Sequence, residues 1–475
     1  MFMLSQEILE QYNIWWQTKK IPEKYLYPTK RSYLQTIIKQ LGDTQNITSI
    51  VGPRRVGKTV LLYQTIEYLL AQNYKPQQII FFKADDPSIK IKDNLVQDLI
   101  HTIEKYLIGK PITEAYSKKN PLVVLIDEIQ STPLWAEYLK KYNDLGYPIK
   151  FIISGSASIK ITKNTKESLV GRFKEIVIAP LSFREVYIWS QNDSLEYVPN
   201  LEAIDFIDVK KIFTKSLVVW ERFKGARTLM LNMYEEYLLM GGFPQIINDF
   251  YKPQSYDQSE VTEYLKVQVI ERVLFRDIPE LTGIKNTYFL QQLFALLSTE
   301  SGSVANLREI SRKFSVSFQT VQTHLWYMHE SYLISMVRKF SKGGMSQART
   351  QPKIYLTDTG IINALNNIGR EVLLDYTMLG KLVETSISSV LRFKYYKLNT
   401  HFWRDRLEID FIVSTASHLL PIEVKYRNEA TKENYLNLKE FSKRYNTKQA
   451  LVITKNEFEL VDSTLFIPAW VFTLL

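Results

Sequence analysis

The stretch Gly52-Pro-Arg-Arg-Val-Gly-Lys-Thr59 decides the fold of the first part of the chain. It follows the apolar run 46–51 and precedes the run 60–70, in which apolar residues recur with helical spacing. Between a strand and a helix, the glycines of this GxxxxGK(S/T) pattern let backbone N–H groups surround phosphate oxygens. The sequence therefore predicts a loop that binds the phosphates of ATP or GTP.

The nucleotide-binding residues predicted from this loop are Gly52, Pro53, Arg54, Arg55, Val56, Gly57, Lys58, Thr59 and Val60. The Lys58 ammonium is expected to neutralise the outer phosphates, and we also count it among the catalytic groups. The Thr59 hydroxyl is expected to ligate Mg²⁺. ATP and Mg²⁺ are the predicted cofactors.

Apolar runs alternate with helix-like segments over the first 180 residues, which is typical of a parallel α/β sheet. The predicted strands are 46–51, 78–83, 122–126, 150–153 and 174–178. The third run is apolar on both faces, as a central strand should be, and it ends at Asp127-Glu128. In a phosphate-loop enzyme one carboxylate at this position holds the metal and its neighbour polarises the attacking water. We therefore assign Asp127 to Mg²⁺ and Glu128 to the catalytic base.

Polar residues near two other predicted strands have a functional and a structural interpretation. Ser154 and Ser156 follow the fourth strand, where a serine either orients the attacking water or simply forms a turn. Arg172 either reaches the nucleotide of a neighbouring subunit as an arginine finger or forms a surface ion pair with Glu175. We count Ser154 and Arg172 as candidate catalytic residues.

Composition limits the remaining chemistry. The 475 residues include no Cys and five scattered His, so thiol nucleophiles, iron–sulfur clusters and Cys- or His-built zinc sites are excluded or improbable. A metal here should be a hard cation on carboxylates. The first 16 residues lack the pattern of an export signal, and no apolar run approaches the ~20 residues of a membrane helix, so we expect a cytoplasmic protein without a membrane partner. The lack of Cys would also suit a hot-growing archaeon.

A basic helix-turn-helix is predicted in the middle of the chain, with helices at 306–314 and 318–329. The chain has a net charge of +10, and residues 301–350 hold seven basic and two acidic residues, which is half of that surplus. This concentration favours a DNA-facing winged helix with 338–349 as the wing, although such modules also bind proteins. The predicted DNA-contacting residues are Arg312, Lys313, Gln319, Thr320, Gln322, Thr323, Arg338, Lys339 and Lys342.

Carboxylates and a lysine recur in the C-terminal quarter. Glu384 borders the apolar face of a predicted helix, Asp410 lies in an alternating strand, and a second strand places Glu423 and Lys425 on one face. Such a group could hold Mg²⁺ on Glu384, Asp410 and Glu423 and activate water against a phosphodiester, with Asp410, Glu423 and Lys425 as catalytic residues. The alternative is that Glu423 and Lys425 form only a salt-bridged solvent face.

The N-terminal motifs resemble the AAA+ ATPases, more narrowly the branch shared by origin-recognition-type and STAND-type ATPases, over about 25–248. The resemblance implies a helical lid at about 182–237, and it implies that Pro244 at the end of the lid packs against the nucleotide. A helix C-cap followed by a proline is the structural alternative for that position. The motifs that carry the resemblance are the phosphate loop, Asp127-Glu-Ile-Gln130, Ile153-Ser-Gly-Ser156, Gly171-Arg172, Pro180-Leu-Ser-Phe183 and Gly241-Gly-Phe-Pro244.

The C-terminal pattern resembles the PD-(D/E)XK nuclease superfamily, with Glu384 as the acidic residue of its first helix. With Lys353-Ile-Tyr-Leu-Thr-Asp-Thr-Gly360 and the winged helix, about 25–448 resemble a family of archaeal and bacterial AAA+ ATPases. The implied α/β domains are an AAA+ core, a helical lid, a winged helix-turn-helix and a restriction-endonuclease-like domain, at 1–180, 181–260, 261–375 and 376–475.

Together these features predict a Mg²⁺-dependent ATPase that is coupled to DNA binding or remodelling, with DNA cleavage as a further hypothesis. The alternative is a STAND-like ATP-driven switch whose nuclease-like domain is an inactive interaction module. DNA and further copies of the chain, such as a hexameric ring, are the expected partners.

Overall fold

The computed structural model describes residues 6–27, 29–87, 95–155, 171–191, 193, 195, 198–249, 257–341, 350–427 and 435–475. The chain divides into two units, Met1–Ile178 and Ala179–Leu475. The predicted lid, helix-turn-helix and nuclease-like segments therefore all fall in the second unit. Their finer division into three domains stays a prediction.

A five-stranded parallel sheet forms the centre of the first unit, in the order β2-β3-β4-β1-β5. The inner strands β1, β3 and β4 are buried along their whole length, because a parallel sheet is covered on both faces. This burial explains why the sequences of these strands are continuous apolar runs. All five predicted strands are confirmed, with bounds that differ from the prediction by at most two residues at each end. The strands are β1 (Ile47–Val51), β2 (Ile79–Lys83), β3 (Leu122–Asp127), β4 (Ile149–Gly155) and β5 (Phe173–Val177).

Helices before and between the strands cover this sheet. The first ones protect its edge strand β2, because the Asn13 side chain donates to the Phe81 oxygen at 2.9 Å and accepts from the Phe81 nitrogen at 2.7 Å. The helices are α1 (Gln6–Tyr12), α2 (Trp15–Thr18), α3 (Tyr33–Ile38), α4 (Lys58–Ala71), α5 (Leu95–Thr102), α6 (Ile112–Ala115) and α7 (Trp135–Asp144), with a π-helical turn at Ile103–Ile108.

The second unit begins with helices and ends in a mixed nine-stranded sheet. Its helices are α8 (Phe183–Gln191), α9 (Val209–Arg222), α10 (Arg227–Met240), α11 (Pro244–Asp249), α12 (Gln258–Tyr264), α13 (Ile278–Thr282), α14 (Thr287–Thr299), α15 (Leu307–Lys313), α16 (Phe318–Glu330), α17 (Thr359–Asn366), α18 (Tyr376–Phe393), α19 (Leu436–Tyr445) and α20 (Ala469–Leu474). Within the part of the chain that the structure describes, no helix is both long and apolar enough to span a membrane.

The nine strands join the helix-turn-helix region to the C-terminal region. The sheet order is β13-β14-β12-β11-β10-β9-β7-β8-β6, and β7 pairs in parallel with β9 through Arg338–His401 and Lys339–Phe402. The two regions therefore share one sheet. The strands are β6 (Ser303–Val304), β7 (Ile334–Lys339), β8 (Lys353–Leu356), β9 (Asn399–Arg404), β10 (Glu408–Ser414), β11 (Leu419–Lys425), β12 (Ala450–Thr454), β13 (Glu459–Val461) and β14 (Thr464–Pro468).

The predicted helix-turn-helix pair is present as α15 and α16. Asn306 caps the first helix by accepting from the Glu309 nitrogen, and Ser317 caps the second by accepting from the Thr320 nitrogen. Ser315 makes the tight turn between them in the left-handed backbone region. The residues predicted as the shared core are all buried, namely Leu307, Ile310, Val321, Leu325 and Met328.

Candidate functional site

The phosphate loop joins β1 to α4, as the sequence predicts. Gly52 has a φ of +151°, and a Cβ there would lie 2.2 Å from the Ile178 carbonyl oxygen. Only glycine fits that position. Gly57 (φ +92°) and Arg55 (φ +67°) also occupy the left-handed region, which costs a non-glycine residue about 1 kcal/mol or more. Such conformations concentrate where a loop must present its backbone to a ligand.

Lys58 lies inside the curve of this loop. It is the first residue of α4, and its buried ammonium donates to the carbonyls of Gly52 at 3.1 Å and Pro53 at 2.7 Å. The Arg31 guanidinium supports the loop from outside by donating to the Val56 carbonyl at 2.6 Å. Sequence reasoning missed Arg31, because no motif connects it to a loop 21 residues further along the chain.

Asp127 brings three elements together. It ends β3, is fully buried, and accepts from the Thr59 hydroxyl at 2.7 Å and from the Ser154 hydroxyl at the end of β4. Burial and then the neighbouring charge of Glu128 raise the pKa of Asp127, against the lowering effect of Ser154, Thr59 and Lys58. The arrangement places a carboxylate beside the threonine that follows the phosphate-loop lysine. These oxygen donors fit Mg²⁺.

Glu128 follows directly but is held differently. Its backbone is left-handed (φ +52°), and its carboxylate accepts from the Gln130 side chain at 2.5 Å.

Lys83, the register partner of Asp127 on β2, adds a cation at the same strand ends. Burial lowers the pKa of Lys83, but Asp85 at 3.1 Å, together with the charges of Asp127 and Glu128, outweighs burial and raises it. Lys83 was missed, because its position depends on β2 pairing with β3.

Arg172 lies at the amino ends of the parallel strands, whereas the phosphate loop of its own chain lies at their carboxyl ends. Its carbonyl accepts from the nitrogen of Ile47, the first residue of β1, whereas the loop follows the last residue of that strand. Its guanidinium forms an exposed ion pair with Asp144 at 2.9 Å. A role at a neighbouring subunit's nucleotide stays a prediction.

Pro244 begins α11 in the second unit, two residues after a tight glycine pair. Gly241 caps the C-terminus of α10, as in the structural alternative given for this position. The Gly242 nitrogen donates to the buried Asp358 carboxylate at 2.8 Å, and a Cβ on Gly241 would lie 2.0 Å from the same carboxylate. The glycines thus fit against Asp358. Contact of Pro244 with nucleotide stays a prediction.

Four of the nine predicted DNA-contacting residues line a groove of about 890 Å³ on the helix-turn-helix. Gln319, Gln322, Thr323 and Arg338 line it, beside the partly exposed aromatic rings of Phe318 and Trp326. Arg312 and Lys313 are exposed in the last turn of α15, and Lys339 is half-buried in β7. The Thr320 hydroxyl is within 2.8 Å of the Ser317 hydroxyl. Lys342, like Ser156, lies outside the described residues.

The C-terminal carboxylates converge on a lysine that sequence reasoning did not assign. The Lys353 ammonium, from β8, lies 2.6 Å from Glu408, 3.1 Å from Glu384 and 3.3 Å from Asp410. Only 3% of this side chain is exposed. The Tyr355 hydroxyl donates to Glu384 at 2.5 Å. A lysine at the start of a buried apolar strand was the signal that could have identified it.

Glu423 and Lys425 form an ion pair at the border of this group. Their charged atoms are 2.5 Å apart, and Glu423 is buried, so the pair is not the solvent face that the alternative described. Within the described residues, the second Glu423 oxygen is buried without a hydrogen-bond partner. Burial and then Asp410 raise the pKa of Glu423 to about 8 and that of Glu384 to about 7.

The predicted magnesium set does not fit a metal as arranged. Glu384, Asp410 and Glu423 are all described, yet no group of three or more His, Asp or Glu among the described residues could hold a metal ion. The Lys353 ammonium lies beside the Glu384 and Asp410 oxygens that a metal would need. The metal-ligand and catalytic roles expected for Glu384, Asp410, Glu423 and Lys425 stay predictions.

Three parts of the chain match known domain families. Residues 44–187 match the family described as AAA domain. Residues 231–372 match the domain of unknown function DUF8612, and residues 379–472 match the domain of unknown function DUF4143.

Similar proteins and structures occur in bacteria and archaea. An uncharacterized protein of Haemophilus influenzae is 24% identical over 88% of this chain and 92% of its own length. One from Methanocaldococcus jannaschii is 24% identical over 82% of this chain and 76% of its own. The Walker-type ATPase of Pyrococcus abyssi aligns at 14% identity and a TM-score of 0.42, covering 73% of this chain and 98% of that one. A TM-score below 0.5 does not establish a shared fold. The phosphate loop thus lies in a segment that matches the AAA domain family, followed by two regions that match domain families of unknown function.

Proposed function

We propose that the first unit binds ATP with Mg²⁺ and hydrolyses it. The observation that carries this proposal is the hydrogen-bonded group of Thr59, Asp127 and Ser154, beside a phosphate loop that already encloses the Lys58 ammonium. Mg²⁺, held by Thr59 and Asp127, would neutralise charge on the phosphates.

The side chains then have distinct tasks. Lys58 exchanges the two loop carbonyls for phosphate oxygens, which it binds more strongly because they are charged. Ser154 holds the Asp127 carboxylate in place. Glu128 takes the proton of the attacking water as the new P–O bond forms and the bond to the leaving ADP oxygen breaks. The Gln130 amide orients the Glu128 carboxylate for that transfer.

ATP turnover by the full chain tests this function. Lys58→Ala should lower kcat/KM by about 100-fold or more, since it removes the cation that binds the transferred phosphoryl group. Glu128→Gln should lower kcat while ATP still binds, since it removes only the base. Lys119→Ala, at an exposed lysine of the same unit, is the control and should behave as wild type. Unchanged turnover in Lys58→Ala would exclude the proposed site.

A second proposed function is DNA binding by the helix-turn-helix. It is supported by the groove that collects Gln319, Gln322 and Arg338, because these side chains can bond base edges and phosphates. It is also supported by the order of elements from α14 to β8, a helix, a short strand, two helices and two strands, as in a winged helix. DNA-stimulated ATP turnover by an assembly of identical chains is the coupling that we propose.

Fluorescence anisotropy with duplex and single-stranded DNA, measured against salt concentration, tests this second function. Arg312→Ala/Lys313→Ala should weaken binding and reduce the slope of log K against log salt by about 2, one for each lost phosphate contact. The control Lys439→Ala/Lys443→Ala removes two exposed charges from α19 and should leave the slope unchanged. Absence of binding to any DNA at low salt would refute the proposal.

A further inference from the structure

We propose that the Lys353 ammonium permanently takes the place of a divalent metal ion in the C-terminal carboxylate cluster, defined as Glu384, Glu408 and Asp410. The cluster is then a closed, metal-free ionic site that cannot activate water for phosphodiester cleavage. This inference is independent of ATP hydrolysis in the first unit, because none of its residues belongs to that unit.

The hydrogen-bonding capacity of the ammonium is fully used. A lysine ammonium has three N–H donors, and the Lys353 ammonium has carboxylate oxygens of Glu408, Glu384 and Asp410 within 2.6, 3.1 and 3.3 Å. The Tyr355 hydroxyl donates to the same Glu384 oxygen, and the Val424 nitrogen donates to the second Asp410 oxygen at 2.9 Å. The inward oxygens of the cluster are thus bound by groups of the protein itself.

A metal and the ammonium would compete for one position. Mg²⁺ binds carboxylate oxygens at about 2.1 Å and needs near-octahedral space. The ammonium already occupies the point that these oxygens share, and its side chain is 3% exposed. The backbone of Lys353 is also fixed on both sides, because it pairs with Val304 on β6 and with Val337 on β7. Only the side chain is therefore left to move, and it is packed with 3% exposure.

The carboxylates of the cluster keep the lysine charged. Burial lowers the pKa of Lys353, but the charges of Glu384, Asp410 and Glu408 outweigh it, so the ammonium remains a cation. The cluster thus already pairs its carboxylates from α18 and β10 with a positive charge.

Electron paramagnetic resonance of Mn²⁺ with the full chain, without nucleotide, tests the proposal. Wild type and Asp410→Asn should bind Mn²⁺ identically, since the cluster binds none. Lys353→Met should gain one Mn²⁺ site, with an affinity at least tenfold higher than any binding of Mn²⁺ by the wild-type cluster. Lys353→Met/Asp410→Asn should lose that site again. Lys455→Met is the matched control and should gain no site, because its partly buried ammonium pairs with a single carboxylate, Glu235, at 2.9 Å.

Two results would overturn the proposal. One is a Mn²⁺ site in wild type that disappears in Asp410→Asn, or Mg²⁺-dependent plasmid nicking by wild type that disappears in the same variant. The other is a folded Lys353→Met variant that gains no site, which would show that the carboxylates are not arranged for a cation of higher charge. The comparison of wild type with Asp410→Asn does not require Lys353→Met to fold, so the proposal stays testable in either case.

Discussion

Gly52→Ala gives the most direct test of how the sheet shapes the phosphate loop. The added Cβ would lie 2.2 Å from the Ile178 oxygen and 3.2 Å from the Ile178 side chain, and a shift of about 0.8 Å is needed to restore a contact of 3.0 Å. The Ile178 backbone cannot give way freely, because its nitrogen donates to the Val51 carbonyl at 2.8 Å. The loop must therefore move.

The expected losses follow from that geometry. Forcing an extra carbon into a packed site costs about 1–3 kcal/mol, and a left-handed backbone costs a non-glycine residue about 1–2 kcal/mol. The free energy of unfolding of the first unit should therefore fall by about 2–5 kcal/mol. A displacement near 1 Å at a binding loop commonly costs about 100-fold, so the Kd for ATP should rise by about that factor.

Two other glycines separate the contributions. Gly171 has a left-handed backbone (φ +82°), and among the described residues no heavy atom lies within 4 Å of an added Cβ, so Gly171→Ala should show the backbone cost alone. Gly42→Ala has neither problem and should be neutral, or stabilising by about 0.4–1 kcal/mol through the unfolded state. Urea unfolding and titration with a fluorescent ATP analogue measure both quantities. Wild-type affinity for ATP in Gly52→Ala would refute the reasoning.

Three further changes probe single groups. Ser154→Ala removes a donor that stabilises the Asp127 carboxylate, so the acidic limb of the pH profile of ATP turnover should move to higher pH. Burial raises the pKa of Asp358 from 3.8 to about 6, so ionisation of this carboxyl destabilises the folded protein. The destabilisation is absent below about pH 4, grows as the pH rises, and is complete above about pH 6. Relative to Asp358→Asn, wild type should therefore lose up to about 3 kcal/mol of unfolding free energy between pH 4 and 7, measured by urea unfolding. Arg172→Ala should change stability by less than about 1 kcal/mol, since its ion pair is exposed, but should lower ATP turnover by at least tenfold where the chains assemble.

Each of these outcomes has a contrary result. An unmoved acidic limb in Ser154→Ala would show that the hydroxyl does not tune Asp127. Parallel pH profiles of stability for wild type and Asp358→Asn would show that the buried carboxyl titrates normally. Turnover of Arg172→Ala equal to wild type across protein concentrations would exclude the arginine-finger role.

The first unit was largely predictable, because its signals are local. Buried parallel strands produce continuous apolar runs, so β1, β3 and β4 could be placed from sequence. The phosphate loop needs glycines at fixed spacing between a strand and a helix, and this spacing is visible directly in the sequence. The sequence assigned Thr59 and Asp127 to one metal ion, and the structure brings their side chains within 2.7 Å, because the loop after β1 and the end of β3 lie at the same ends of the parallel strands.

Groups that act from a distance were not predictable. Arg31 supports the loop and Lys83 lies beside Asp127, but each is placed by packing or pairing that leaves no pattern in the chain. The helix-turn-helix core was found from its helical spacing, whereas the parallel pairing of β7 with β9 was not. A strand pair formed by residues about 60 positions apart is set by the rest of the sheet.

The sequence by itself determined the phosphate loop, the strand ends beside it, and the helix and strands that carry Glu384, Asp410 and Glu423 near the C-terminus. Only the tertiary structure decided what those C-terminal carboxylates bind. Lys353 precedes Glu384 by 31 positions and Asp410 by 57, and it comes from a strand of the helix-turn-helix region. A buried charge is stabilised by the opposite charges that folding places next to it. Which charges these are depends on distances in the folded structure, and the spacing of residues along the chain does not show those distances.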